Sequence, residues 1–474
     1  MIVEDAEKIV KIEDGKIREI YKKGEIKPDF IFKKASLIPS FCDSHTHLIG
    51  TGLSEIRYSL KEKKSKEEVY EFLKEILKEK KDLIIAYDFD ESKWKEKEFP
   101  KKEELDKISK KVPIILRRIC GHFAVGNSRA LEILKLKKAK NIDFETGIMK
   151  EEVPLNLNYY FPPSKEEIKK AFIKGQEIAF SFGITEVHEI LGLKNFKNIL
   201  EFKEKDFLIR INLYVVLKNL KEIREFERIK GKFEEKEFLK LKGIKIFADG
   251  SIGARTAFLK EDYSDAKGER GKLLIDEYTL TEFIKYAEKK GLQLLVHAIG
   301  DAAIEFVLKT FNKMISKNPL RHRIEHFEIV NEDIIKMAKK SNIYISMQPN
   351  FVREWQEKNG MYYTRLGEKR WKNMNLFKTL LNEDLKIAFG SDCMPIGPLY
   401  GIKGAMNHPI PSQRINFETS LKLYTENPRI FSFEEKNRGK IKKDFDADLI
   451  LLDKKNNLIA IIFKDKITYT TQKF

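Results

Sequence analysis

The chain has 474 residues, 42% hydrophobic and 35% charged, with a formal net charge of +17; this is a globular composition with enough apolar surface for a large core and appendages. Its apolar runs fall short of the roughly 18 residues that span a bilayer and the start, MIVEDAEKIVK, has no signal-peptide core, so a cytoplasmic protein without a membrane segment is expected. The lysines are interleaved with glutamates, as in KEKKSKEEVYEFLKEILKEKKD at 61–82, which reads as solvated, heat-adapted surface and not as a nucleic-acid face; Cys42, Cys120 and Cys393 lack CxxC spacing and read as reduced thiols.

In chain order, IVKIEDGKIREI at 9–20 is a hairpin signal, two alternating runs joined across Glu13-Asp14-Gly15-Lys16. A hairpin is too small to stand alone. Strand-like runs at 447–453, 458–463 and 467–470 offer it partners, so 1–35 and 430–474 are expected to form one small composite β domain. Between them, 36–429 carries eight apolar strand candidates, at 36–44, 183–190, 209–216, 243–249, 292–299, 322–328, 342–349 and 386–392. Helical patterns lie between these, at 166–182, 276–290, 302–316, 331–340 and 373–382. Parallel strands alternating with helices in this number specify an α/β fold of the (β/α)8 TIM-barrel type. The span 50–165 is too long for a loop and has its own strands at 83–88 and 112–119 and a helix at 67–79, so it is read as an α/β insertion over the barrel mouth.

The chemistry collects at the ends of those strands. In FCDSHTHLIGT at 41–51, His45 and His47 are two residues apart, and on a strand they face one point, as does Asp43. A metal ion is the simplest occupant of that point. His297, His326 and Asp392 fall near the C-terminal ends of later strands, where such barrels keep their catalytic groups. Singly, each reads as a hydrogen-bonded core histidine or a helix-capping aspartate; jointly with His45 and His47 they strain that reading. Lys245 sits in the middle of the apolar run GIKIFAD, where it faces a surface, carries a large desolvation cost, or is chemically changed. An amine that has added CO₂ becomes a carbamate with two oxygens, able to bridge two cations. Lys242 falls at the start of that strand, the wrong end of the barrel.

Several segments carry a family resemblance: PSFCDSHTHL at 39–48, RRICGHFAVGNSRAL at 117–131, GIKIFADGSIGARTAFL at 243–259, LLVHAIGDAAIEFVL at 294–308, RHRIEHFEIV at 321–330, ISMQPNF at 345–351 and FGSDCMP at 389–395. In this order, over nearly the whole chain, they resemble the metal-dependent amidohydrolase superfamily, and within it the amidohydrolase-3 group of YtcJ-like proteins that includes N-substituted formamide deformylase. The resemblance implies that His45, His47, Lys245 and Asp392 hold one metal, and Lys245, His297 and His326 the other. It implies two divalent ions bridged by carboxylated Lys245, zinc by donor type, with manganese, iron, cobalt or nickel as alternatives. The chain departs from the family in its short N-terminal β region and its compressed 404–419 segment, so substrate specificity is not carried over.

The expected activity is metal-dependent hydrolysis of a non-peptide C–N bond (amide, formamide or cyclic amide) in a small molecule, with Asp392 as general base and then general acid. The alternatives are ester hydrolysis on the same site, or an inactive scaffold, which would be expected to have lost ligands. No nucleic-acid or membrane partner is expected, and a homo-oligomer stays open. Around the centre, His122 either closes over substrate or caps the helix that follows it. Arg255 either binds an anionic group or pairs with a carboxylate, and Gln348 and Trp94 are candidate pocket walls. His188 reads as a structural or supporting histidine, Asp301 as a helix cap and Cys393 as a small core residue.

Overall fold

The structure, a computed structural model, describes residues 1–79, 82–119, 123–150 and 152–470. It has two compact units, 1–48 with 175–474, and 49–174. In the first, eight parallel strands are hydrogen-bonded in chain order: Phe41–Thr46, Ile184–Gly192, Arg210–Val216, Leu239–Phe247, Gln293–Ala298, Arg323–His326, Tyr344–Met347 and Lys386–Phe389. Between successive strands run helices such as Glu277–Lys290, Asp301–Met314 and Glu332–Lys340. Their starts are set by side-chain caps: Asp276 accepts from Thr279 N and Asn331 from Ile334 N. The predicted TIM barrel is therefore what the chain forms.

Its last seam is closed by a turn. After the eighth strand, Ser391 N donates to the Asp43 carboxylate at 3.0 Å, and Asp392 N donates to His45 O at 2.9 Å. A Cβ at position 390 would lie 2.6 Å from His45 N, so glycine is what lets the eighth strand come this close to the first.

The predicted first strand, 36–44, is in fact two. Ala35–Pro39 pairs antiparallel with Leu449–Asp453, Leu37 opposite Leu451, whereas Phe41–Thr46 joins the second barrel strand. An apolar run does not show where its partner changes; the joint is Ser40, whose carbonyl accepts from Arg429 Nη1 at 2.9 Å. The terminal β layer accordingly includes 35–39. It consists of two four-stranded sheets, one from 2–31 and one combining 35–39 with 449–470, around a shared core of Val3, Val10, Ile12, Leu37, Leu449 and Ile462. The hairpin turn falls at Asp14 and Gly15, both with positive φ, between paired Glu13 and Lys16.

The 49–174 unit follows the first barrel strand and is itself α/β. Strands Tyr58–Ser59, Ile84–Phe89, Ile114–Arg118, Phe123–Gly126 and Ile148–Lys150 form one mixed sheet with apolar clusters packed on it.

Candidate metal centre

At the C-terminal ends of strands one, four, five, six and eight, the barrel brings together His45, His47, Lys245, His297, His326 and Asp392. His45 and His326 have ring centroids 5.0 Å apart, and His297 and His326 4.4 Å. His47 Nε2 is 3.0 Å and His45 Nε2 3.6 Å from Asp392 Oδ1. The donor atoms of His45, His47 and Asp392 all lie within 4.8 Å of one another, a group that could hold one ion. Two strands end abruptly to aim these groups: the backbone turns left-handed at His326 and Phe327 (φ 76° and 54°) and at Asp392 and Cys393 (φ 52° and 57°). Non-glycine residues held there cost about 1–3 kcal/mol each, strain that is typical of functional sites.

Every imidazole has one nitrogen already engaged by the protein. His45 Nδ1 donates to Glu325 Oε2 at 2.5 Å, His47 Nδ1 to Ile190 O at 2.9 Å and His326 Nδ1 to Gln348 Oε1 at 2.7 Å, which leaves the Nε2 lone pairs of His45 and His326, while His47 Nε2 meets Asp392 Oδ1 at 3.0 Å. His297 is reversed: Nε2 donates to Gly250 O at 2.9 Å, and the buried Nδ1 has no partner. Lys245 is wholly buried, and its Nζ likewise lacks any hydrogen-bond partner. Two orphaned nitrogens among aligned lone pairs and a carboxylate fit a divalent metal well and an empty polar core badly.

The electrostatics agree with this. Burial pushes Lys245 down to about 8, giving a sizeable neutral-amine fraction near pH 7.5, and lowers His297 to about 4. Burial opposes charge on His47, but the adjacent Asp392 outweighs it and raises the imidazole to about 9. Burial would raise Asp392, yet His45 and His47 hold it below the usual carboxylate range. In the metal-free protein at pH 7.5 His47 is therefore protonated, and a metal must displace that proton. Metal loading at pH 7.5 should release protons, about one of them from His47, and fewer above its pKa. Calorimetry in buffers of differing ionisation enthalpy measures this; equal release at pH 7.5 and 9.5 would contradict a protonated His47.

Reasoning from sequence passes over the support beneath this centre. Arg323 is buried in the barrel, donating from Nε to Glu325 Oε1 at 2.6 Å, from Nη2 to Ser44 O at 3.1 Å and from Nη1 to His188 Nδ1 at 2.7 Å. Glu325 in turn fixes the His45 ring. Arg323 and Glu325 alternate within the apolar strand RHRIEHFE and so share one face, but alternation alone does not say that this face is the inner one. Glu325→Gln keeps the shape but weakens the hold on the Nδ1 proton, so metal affinity should fall ~10–100-fold with the fold intact. A competition titration against a chelator reads this; unchanged affinity would reduce Glu325 to a packing role. His188, with Arg323 on one nitrogen, is structural. The group it forms with Cys42 and Glu186 is no metal site, because the Arg429 guanidinium lies 3.1 Å from the Glu186 carboxylate.

The other predicted residues divide. Gln348 is buried against His326 as an orienting partner, its Nε2 left unpartnered. Trp94, expected as a pocket wall, is 2% exposed in the apolar core of the 49–174 unit, its ring 5.5 Å from Phe89; a large apolar side chain among Val69, Leu73 and Leu116 belongs to the packing. The Arg255 guanidinium, expected as a substrate contact, is committed to Asp265, at 3.1 Å from Nε and 2.8 Å from Nη2. His122 lies outside the described residues. Asp43 holds His45 N and Ser391 N. Asp301, expected as a helix cap, is instead the first residue of its helix, whose cap position is Gly300; its carboxylate accepts from Lys260 N and Ala302 N. Lys242 sits away from the centre, bonded to Ser432 O and Glu434.

A cavity of about 240 Å³ opens beside His297, His326 and Asp392. Its far wall comes from two helices between the seventh and eighth strands, Pro349–Trp355 and Met361–Trp371, neither of which is among the predicted elements.

The chain is similar to known proteins. Residues 33–466 match the model of the amidohydrolase family Amidohydro_3. The chain is 29% identical to "Putative amidohydrolase YtcJ" of Bacillus subtilis (strain 168), over 94% of this chain and 91% of that one. Among solved structures, an uncharacterized metal-dependent hydrolase from Pyrococcus furiosus superposes with a TM-score of 0.81 at 29% identity, covering 94% of each chain. Another from Pyrococcus horikoshii OT3 superposes with a TM-score of 0.77 at 27% identity, covering 94% of this chain and 93% of that one. With strand-end histidines, a buried lysine and an aspartate poised for a divalent ion, the chain belongs to the amidohydrolase family and is a metal-dependent hydrolase.

Proposed function

We propose that the chain hydrolyses a non-peptide C–N bond in a small amide, formamide or cyclic amide. His45, His47 and Asp392 would hold one ion and His297 and His326 a second, with Lys245, once carboxylated, supplying an anionic ligand between them. The observation that carries this reading is the Lys245 amine, fully buried and without any partner among four histidines and an aspartate. As the neutral amine it would attack CO₂, forming the N–C bond as one C=O π bond opens onto oxygen and passing one proton to water, and the product would be an anion suited to that position. Zinc fits the histidine and carboxylate donors, with manganese, iron, cobalt and nickel as alternatives.

The bound metal supplies Lewis acidity and lowers the pKa of water toward neutrality. Asp392, kept ionised by His45 and His47, takes a proton from the attacking water and returns it to the leaving nitrogen. Gln348 and Glu325 keep His326 and His45 in the tautomers this requires. The cavity of about 240 Å³ against Asp392 supports a small-molecule substrate. The test is to offer metal-loaded protein N-formyl, N-acetyl and cyclic amides together with matched esters, and to quantify the amine and alcohol released. Amide turnover abolished by chelation is the expected result; turnover of esters alone would overturn the C–N assignment.

A further inference from the structure

The cavity beside the metal centre contains one group that neither the metal nor the fold uses. Glu328 lines it, is 1% exposed, and neither carboxylate oxygen makes a hydrogen bond. Tyr362 is the polar side chain that acts on it, and the other charges felt there, Asp249 and Asp392, are acidic. Around this carboxyl the wall is aromatic: the Phe351 and Trp355 rings are 4.7 Å apart, and those of Trp355 and Tyr362 5.9 Å. A buried carboxyl without a donor carries a penalty that a bound N–H group removes. Aromatic faces beside it favour a cation.

We infer that Glu328, with Phe351, Trp355 and Tyr362, forms a subsite for a cationic nitrogen, so that the substrate is an acylated amine that bears a second, free ammonium or amidinium group on an apolar body. The subsite itself stands on the cavity; only its place in a substrate rests on the C–N hydrolase reading.

Metal-loaded wild type and Glu328→Gln are titrated with benzamidinium and with its neutral isostere benzamide, followed by calorimetry. Metal content and melting temperature are measured on the same samples. Wild type should bind benzamidinium at least tenfold more tightly than benzamide, and Glu328→Gln should lose that preference with metal and melting temperature unchanged. In turnover, N-formyl-4-(aminomethyl)benzylamine should exceed N-formyl-4-methylbenzylamine at least tenfold in kcat/KM, again only in wild type. Equal binding of the two probes to wild type, a preference that survives in Glu328→Gln, or loss of metal in that variant would each overturn the subsite. A Glu328-dependent benzamidinium preference with neither formamide hydrolysed upholds the subsite and counts against the C–N reading.

Discussion

Asp392→Asn should give a folded, metal-bearing protein that has lost turnover by about 10²–10⁴-fold, the range expected when a positioned acid–base group is removed. The carboxylate sits 3.0 Å from His47 Nε2 and 3.6 Å from His45 Nε2, and its backbone N–H is bonded to His45 O, so the amide isostere meets the same frame. What asparagine cannot do is take a proton from water and deliver it to nitrogen. The loss should therefore fall on kcat with little change in KM. Metal content and steady-state kinetics on the same preparation decide the matter, and near-wild-type kcat would remove Asp392 from proton transfer.

Lys245→Ala is the second large effect: bound metal should drop from about two ions per chain to one or none, with activity following it. The variant also separates ligand loss from misfolding. The Lys245 amine makes no hydrogen bond and is fully buried, so truncating it takes away a polar group that stabilises nothing in the metal-free protein. The metal-free variant should melt no lower than the metal-free wild type, apart from the cavity left by the stem. Short carboxylic acids, entering the space vacated by the side chain, should restore part of the metal and part of the activity. Two metals bound without any additive would show that Lys245 bridges nothing.

The barrel is legible in the sequence because its strands are buried on both faces and so read as continuous apolar runs, from GITEVHEI to KIAFGSD. The candidate ligands are legible for the converse reason, as polar residues interrupting those runs at their C-terminal ends. Boundaries fail where hydrophobicity is silent: 36–44 looks uniform, although its partner changes at Ser40. Arg323 and Glu325 escape notice because charged residues in a strand are ordinarily solvent-facing, and only the closed barrel shows each to be the other's partner. Trp94 and Arg255 fail in the opposite sense, since an aromatic or a guanidinium near a conspicuous motif reads as a contact until packing or a carboxylate claims it. The aromatic wall at 351–362 follows from a helix pair whose irregular spacing, broken at Gly360, hides its period.

The way the eighth strand meets the first would give a bound metal a mechanical role. The residue that joins the two strands, Asp392, also reaches His45 and His47 on the opposite lip, so main chain and side chain cross the same gap. An ion held by all three acts as a clasp on a hoop. With the clasp open, the hoop should breathe at this one place, and the Ser391 and Asp392 amides should exchange with solvent sooner than those inside the other strand pairs. Loading the metal should slow those two amides more than any in the terminal β sheets.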